Sequence, residues 1–211
     1  NRYGFNNTTD THMMKNSEWG VVAYLSQSKY GKLGNTNFSG ANKEIYHNKS
    51  NSFITGCSCG SPSNSNTDYG CQYTYDVDIN GTGASTTGNI YGVYDMNGGA
   101  WEYVMANYND VVGVSNFGQS LTLESKYYNK YTSSIISEAC NGEVCYSHTL
   151  SEIANWYEDY QRMITNQNPW MVRGGRYTYT TDAGIFSFSI GSGGISIDNS
   201  FRLVSTIGGN A

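Results

Sequence analysis

Charged side chains are scarce in this chain, at 14% of residues with a formal net charge of −5. No basic patch or run accumulates, so the electrostatic footprint of a nucleic-acid binder is missing and no such partner is expected. Apolar runs of membrane-spanning length are also missing, and no signal peptide opens the chain, so direct membrane insertion is not expected either. The chain starts abruptly at Asn1, as in a processed form or a piece of a longer protein. Histidine occurs three times, as the scattered His12, His47 and His148. No HExxH, GxSxG, Walker loop or dinucleotide fingerprint appears. With no constellation of acids, bases or nucleophiles, we expect no catalytic residues, no metal, no cofactor and no enzymatic activity.

Abundance lies elsewhere, in 19 Tyr and 25 Gly alongside many Ser, Thr and Asn. This is the palette of extracellular adhesins and paratopes, where Tyr gives rigid contact area and small polar residues adapt. A disordered chain would be poorer in aromatics and more charged. At 211 residues a sizeable core is available. Of the five cysteines, Cys140 and Cys145 bracket an Asn-Gly turn, a spacing that predicts a local disulfide. Cys57, Cys59 and Cys71 leave one thiol over after any pairing. A zinc site of these three with His47 matches no paired-knuckle spacing, so a disulfide stapling a polar loop is preferred. Disulfides place the protein outside the cytosol, at the cell surface or beyond it.

The most structured stretch runs from Asn89 to Met105. Alternation before the Gly pair predicts a short strand over 90–95, and Asn97, Gly98 and Gly99 predict a turn. Trp101, Tyr103 and Met105 resume a period of two, with Trp101 expected to be largely buried. Glu102 is expected to pair with an arginine, either Arg173 or Arg202. Upstream, a helix is predicted from Thr11 or Asn16 to Tyr30, with Met14, Trp19, Val22 and Leu25 on its apolar stripe, Asn16 as its cap and Gly31 as its stop. Residues 1–10 read as an edge strand or frayed lead. Residues 32–88 and 106–139 read as long polar insertions. Within the first, Asp76, Asp78 and Asn80 resemble the front half of an EF-hand loop. Its twelfth position is Thr87 where a bidentate Glu is needed, so a plain turn is preferred to calcium. A second helix is predicted over His148–Thr165, with Ile153, Trp156, Tyr157, Tyr160 and Ile164 in one stripe. Strands and Gly-rich loops follow from Trp170 to Ile207.

Three blocks carry a resemblance. NIYGVYDMNGGAWEYVM at 89–105 resembles the "GLYDM-GNVWEWV" block of the formylglycine-generating-enzyme family, a branch of the C-type-lectin fold. KNSEWGVVA at 15–23 is similar to that family's "TEAEWEYAA" helix, and WMVRGG…SFRLV at 170–204 to its "RVLRGGSW…GFRLA" end. The same fold serves the hypervariable ligand-binding proteins of diversity-generating retroelements. Closely similar text, including THMMKNSEWG and ASTTGNIYGVYDM, occurs in pilin-like surface proteins of Gram-positive gut bacteria. The resemblance implies an α+β, C-type-lectin-like fold over residues 1–211, with two helices packed on short antiparallel sheets and long Gly/Asn/Ser-rich loops. It does not carry over the enzyme's working parts: residues 176–198 contain no cysteine, and the histidine cluster of iron-dependent relatives is missing.

The block at 170–205 also has an unusual composition. From Gly174 to Asn199, 26 residues contain no Lys, Glu, Gln, Met or Trp, which together make up 30 of the 211 residues. Chance absence is roughly 2% against this composition. In retroelement-diversified proteins, adenines in codons with a pyrimidine third base are randomised, and such codons cannot encode those five residues. A Gly-rich β-stretch without long side chains is the plainer account. The resemblance implies a variable ligand-binding surface, for which Arg176, Tyr177, Tyr179, Thr181, Asp182, Ser187, Ser189, Ile190 and Ser196 are the candidates. Its partner would be a protein or glycan on another cell or host surface. The rival readings are a structural minor pilin or pseudopilin head domain, a formylglycine-type oxidase, and a calcium-dependent lectin.

Overall fold

The computed structural model describes residues 9–60, 69–117, 124–135 and 156–207. In chain order its elements are β1 (Thr9–Met13), α1 (Asn16–Ser26), β2 (Cys57–Ser58), β3 (Tyr73–Thr74), α2 (Ile79–Thr82), β4 (Trp101–Tyr108), β5 (Asn129–Tyr131), β6 (Trp170–Arg173), β7 (Phe188–Gly191), β8 (Asn199–Phe201) and β9 (Leu203–Ile207). The result is an α+β mixture centred on β4. One edge of β4 pairs antiparallel with β6, which in turn pairs antiparallel with β7. The other edge is completed from three distant parts of the chain. Parallel β8 lies beside Trp101–Tyr103, Lys15 bridges to Met105, and parallel β5 lies beside Ala106–Tyr108. All three of these pairings are parallel, so the sheet is mixed rather than antiparallel throughout. Strands β1 and β9 form a separate antiparallel ribbon, with Thr9 opposite Ile207 and Met13 opposite Leu203.

Because β4 is covered on both faces, its period of two sorts side chains between two cores instead of between core and water. Val104 and Ala106 join Trp19, Met96, Met171, Ile185, Phe186 and Phe188 in the main core. Trp101 and Tyr103 point the other way, into a smaller cluster with Trp170 and Val172. Trp101 is buried, as expected, at 7% exposure.

Helix α1 is shorter than its periodicity suggests. Asn16 does not cap it but sits in the first turn, donating to the Tyr131 hydroxyl (2.7 Å). The capping partner is Glu18, whose carboxylate accepts the Lys15 N–H (2.8 Å). The buried face is Asn16, Trp19, Ala23 and Ser26, while Leu25 is 57% exposed. Small residues at 23 and 26 let the helix lie close to the core, which pushes the larger Leu25 outward.

Two predicted elements are replaced by irregular chain. Residues 90–95 form no strand: the Tyr94 and Asp95 carbonyls face the Arg202 guanidinium (3.2–3.3 Å), and Asp95 has a φ of +60°. The stretch 156–165 is not helical beyond the turn at Trp156–Glu158. Its backbone bonds run sideways, from Tyr160 N–H to Asp182 O (2.9 Å) and from Arg162 N–H to Phe188 O (2.9 Å). Ile164 therefore reaches the core from extended chain. The start of that prediction, 148–155 with Ile153, lies outside the described residues, as does the Cys140–Cys145 pair.

The 32–88 insertion is held by a disulfide between Cys57 and Cys71, with Cys59 outside that bond. The bond closes a fourteen-residue separation, a loop for which about 3 kcal/mol of stabilisation is typical. A Cys57→Ala/Cys71→Ala protein should lose about that much in urea titration. Under reductant the parent and the variant should become equally stable, the parent having lost more; a parent that loses no more than the variant would count against the bond.

Candidate functional site

Two glycine turns set the base of the last block. The turn at 97–99 meets the turn at 174–175 through a hydrogen bond from Gly98 N–H to Gly174 O (2.8 Å), and both glycines have positive φ. A Cβ on Gly98 would lie 1.9 Å from the His47 ring, so the position is closed to other residues. Trp19 packs under Gly174, and the guanidinium groups of Arg173 and Arg202 lie 5.6 and 5.4 Å from its ring centre. Of the two candidate arginines, Glu102 takes Arg202, whose Nε and Nη2 donate to its two carboxylate oxygens. Arg173 stands opposite Glu102 in the strand register but is buried with Nη2 near Ile185 O (3.4 Å). Burial pushes the Glu102 carboxyl up from its ordinary value, even against the opposing pull of Arg202.

On this base the chain from Arg176 onward lies across the surface. Arg176 pairs with Asp198 and stacks over Tyr179 (5.1 Å). Tyr177 donates its N–H to Gly99 O (2.7 Å), and its ring meets Phe53 (5.5 Å) and Tyr69 (5.6 Å) edge-on. Tyr179 meets Trp101 edge-on (5.5 Å). Thr181, Asp182 and Ser196 are exposed. The other six of the nine candidates are not exposed: Arg176, Tyr177 and Tyr179 are half-buried, and three more lie on or under the sheet. Ser187 is fully buried, donating to Tyr160 O (3.0 Å), because it sits where the chain must pass beneath the 159–161 segment. Ile190 is half-buried against the main core, and Ser189 is half-buried on β7 opposite Val172. RGG, Phe188 and the SFR run at 200–202 would be the buried scaffold of a variable surface; Arg173, Gly174, Gly175 and Phe188 are buried, but Phe201 is 59% exposed.

Beside Tyr177 opens a cleft of about 390 Å³ between the 48–55 turn and β8. Phe53, Tyr94 and Phe201 supply its rings, and Asp95, Glu102 and Arg202 its charges. Phe53 has a φ of +55°, an uncommon conformation for a bulky side chain and of the kind that gathers at functional sites. Sequence reasoning passed over Phe53, Tyr69 and Phe201. The available signal was Phe53-Ile54, an apolar pair isolated in a polar loop.

No family model, curated protein or solved structure matches this chain. The site is therefore read from its own geometry.

Other perturbed groups sit in the core. Burial lowers Lys32 to about 6, where its amine donates to the Glu44 and Gly83 carbonyls and lies over Tyr46 (3.6 Å). It lowers His47 to about 3 and raises Glu44 to about 8 and Asp159 to about 7. None of these lines the cleft. The Cys57–Cys71 bond removes two sulfurs from the four-ligand zinc set, and His47 Nε2 lies 3.2 Å from Arg176 O. Asp78 caps α2 by accepting the Asn80 and Gly81 N–H groups, and Asp76 accepts from the Thr74 hydroxyl (2.7 Å), which is the plain turn. Among the described residues, no group of three or more His, Cys, Asp or Glu could hold a metal ion.

Proposed function

We propose that this protein is a ligand-binding module displayed outside the cell or on its surface, built on a C-type-lectin-like fold. Its binding face is the last block, with Arg176, Tyr177, Tyr179, Thr181, Asp182, Ser189 and Ser196 as contacts. The supporting observation is the division of labour within that block: Arg173–Gly175 and Ala183–Phe188 are buried, whereas 176–182 and 195–197 are half-buried or exposed. A core cannot accept random changes of volume, while exposed positions usually vary within about 0.5 kcal/mol. Variation in this block is thus tolerable where the chain lies on the surface. The meeting of α1, the 89–105 block and the RGG turn around Trp19 supports the fold assignment, as does the β1–β9 ribbon. The disulfide fits an oxidising compartment. Among the described residues, no helix is long and apolar enough to cross a membrane.

Combined substitution of Tyr177, Thr181, Asp182 and Ser196 should leave the melting temperature within a few degrees of the parent. Capture of the ligand on cells or glycan and protein arrays should be lost or redirected, with Tyr177 and Tyr179 carrying most of the affinity. Loss of the fold would make the block structural and favour the pilin-head reading. A near-identical template repeat and a reverse transcriptase beside the gene would establish the diversification itself.

A further inference from the structure

We propose that the cleft between the Phe53 turn and strand β8 receives an aromatic side chain of a polypeptide ligand. This rests on the reading of the last block as a binding face, and it narrows the ligand from protein or glycan to protein.

The argument starts from what the polar lining already does. Asn48 donates to Ile54 O (2.9 Å) and to Asp95 (2.7 Å), and accepts the Ser50 N–H (2.9 Å). Asp95 accepts the Gly56 N–H through both oxygens (3.0 and 3.2 Å). Glu102 and Arg202 hold each other, and Arg202 also donates to the Tyr94 and Asp95 carbonyls. The Ser200 hydroxyl donates to Trp101 O (3.3 Å) and the Tyr94 hydroxyl to Asn89 O (3.3 Å). A saccharide depends on unengaged donors and acceptors to replace its hydration, because an unpaired buried hydroxyl costs more than it returns. Here those groups are engaged within the protein: Glu102 by Arg202, and Asp95 by the Asn48 amide and the Gly56 N–H.

About half of the cleft's open surface is apolar, and hydrogen bonds leave that half unengaged. Phe201 is 59% exposed; outside the lining, in the loop before β8, Ile195 and Ile197 are 102% and 80% exposed. Across the cleft stand Phe53 and, outside it, Ile54 at 46% exposure. Aromatic walls over polar groups already engaged within the protein suit a planar apolar group, gaining from burial and edge-to-face contact. A cleft of about 390 Å³ lies within the ~300–1,000 Å³ span of small-ligand sites, so a single ring fits. Aromatic anchors seated in pockets are also what concentrates affinity in protein interfaces. Continuity with Tyr177, whose ring touches Phe53, puts this pocket at the margin of the same face.

The test uses the whole chain, isotope-labelled, with N-acetyl-tryptophanamide as probe. Saturable amide shifts are expected at Phe53, Thr55, Ala100 and Phe201. Phe201→Ala should weaken the probe roughly tenfold or more, as for a pocket wall, with an unchanged melting temperature. Methyl glycosides of glucose, galactose, mannose and N-acetylglucosamine should produce no saturable shifts there. The proposal is overturned by an absence of saturable probe shifts at these amides, by unchanged affinity in Phe201→Ala, or by saturation with a glycoside. Shifts at the same amides that grow with protein concentration alone would overturn it in favour of a second copy of the chain. The protein substituted at Thr181, Asp182 and Ser196 should still take the probe. Failure of the binding-face reading would appear as its unfolding, and failure of the pocket as loss of probe binding in a folded parent.

Discussion

Replacing Arg202 by Met is expected to cost about 3–5 kcal/mol at pH 7, because it leaves the buried Glu102 carboxylate without its cation. The pH dependence identifies the cause. Without Arg202, the folded-state pKa of Glu102 rises further above its ordinary value. A carboxyl raised in the folded state binds its proton more tightly there than in the unfolded chain. The penalty is therefore absent below the unfolded value, near 4.5, and grows as pH rises above it. Urea titrations at pH 4 and pH 7 should show a much smaller loss at the lower pH. Adding Glu102→Gln to Arg202→Met should recover much of the loss, since burying the pair is itself costly. Equal losses at both pH values would mean that Arg202 acts through its contacts with Tyr94, Asp95 and Trp19 rather than through charge.

Trp19→Ala should destabilise by at least as much, about 3–5 kcal/mol or more, a large part of the ~5–15 kcal/mol typical of a domain. Trp19 is fully buried, and its indole N–H donates to Ile185 O (2.7 Å). Its ring also lies under both Arg173 and Arg202, so truncation opens a cavity beneath two guanidinium groups at once. Trp19→Phe keeps most of the packing and loses the hydrogen bond, so its cost should be nearer ~1–3 kcal/mol. Denaturation midpoints would check both; a Trp19→Ala protein as stable as its parent would show that α1 is peripheral.

Legibility in the sequence follows what a local pattern can encode. Trp101–Met105 was readable because a strand buried on both faces still alternates. The Glu102 pair was readable because a lone acid between two aromatics needs a cation. Which arginine serves was not, since Arg173 is nearer in register and Arg202 in side-chain reach. The 156–165 stretch shows the limit of periodicity: Trp156, Tyr157, Tyr160 and Ile164 sit at helical spacing, yet their backbone bonds go to the neighbouring 182–188 chain. Ser187 failed as a surface candidate for a related reason. A small side chain looks the same in sequence whether it meets water or fits under a crossing segment. Phe53 was missed oppositely, because it holds a left-handed backbone, in a turn closed on Ser50, that a bulky residue rarely adopts and that its type does not announce. Arg176, Tyr177 and Tyr179 are half-buried and follow directly on the RGG turn, whose glycines fix where the chain leaves the core.

The pairing of β1 with β9 has a mechanical side. Thr9 lies opposite Ile207, and the five register pairs run inward from there to Met13 and Leu203. A pull applied through both ends opens this ribbon like a zipper, one pair at a time from Thr9–Ile207. A pull directed along the two strands in opposite senses instead loads all five pairs at once, so that they must slip together. The same ribbon is weak to one direction of load and strong to the other.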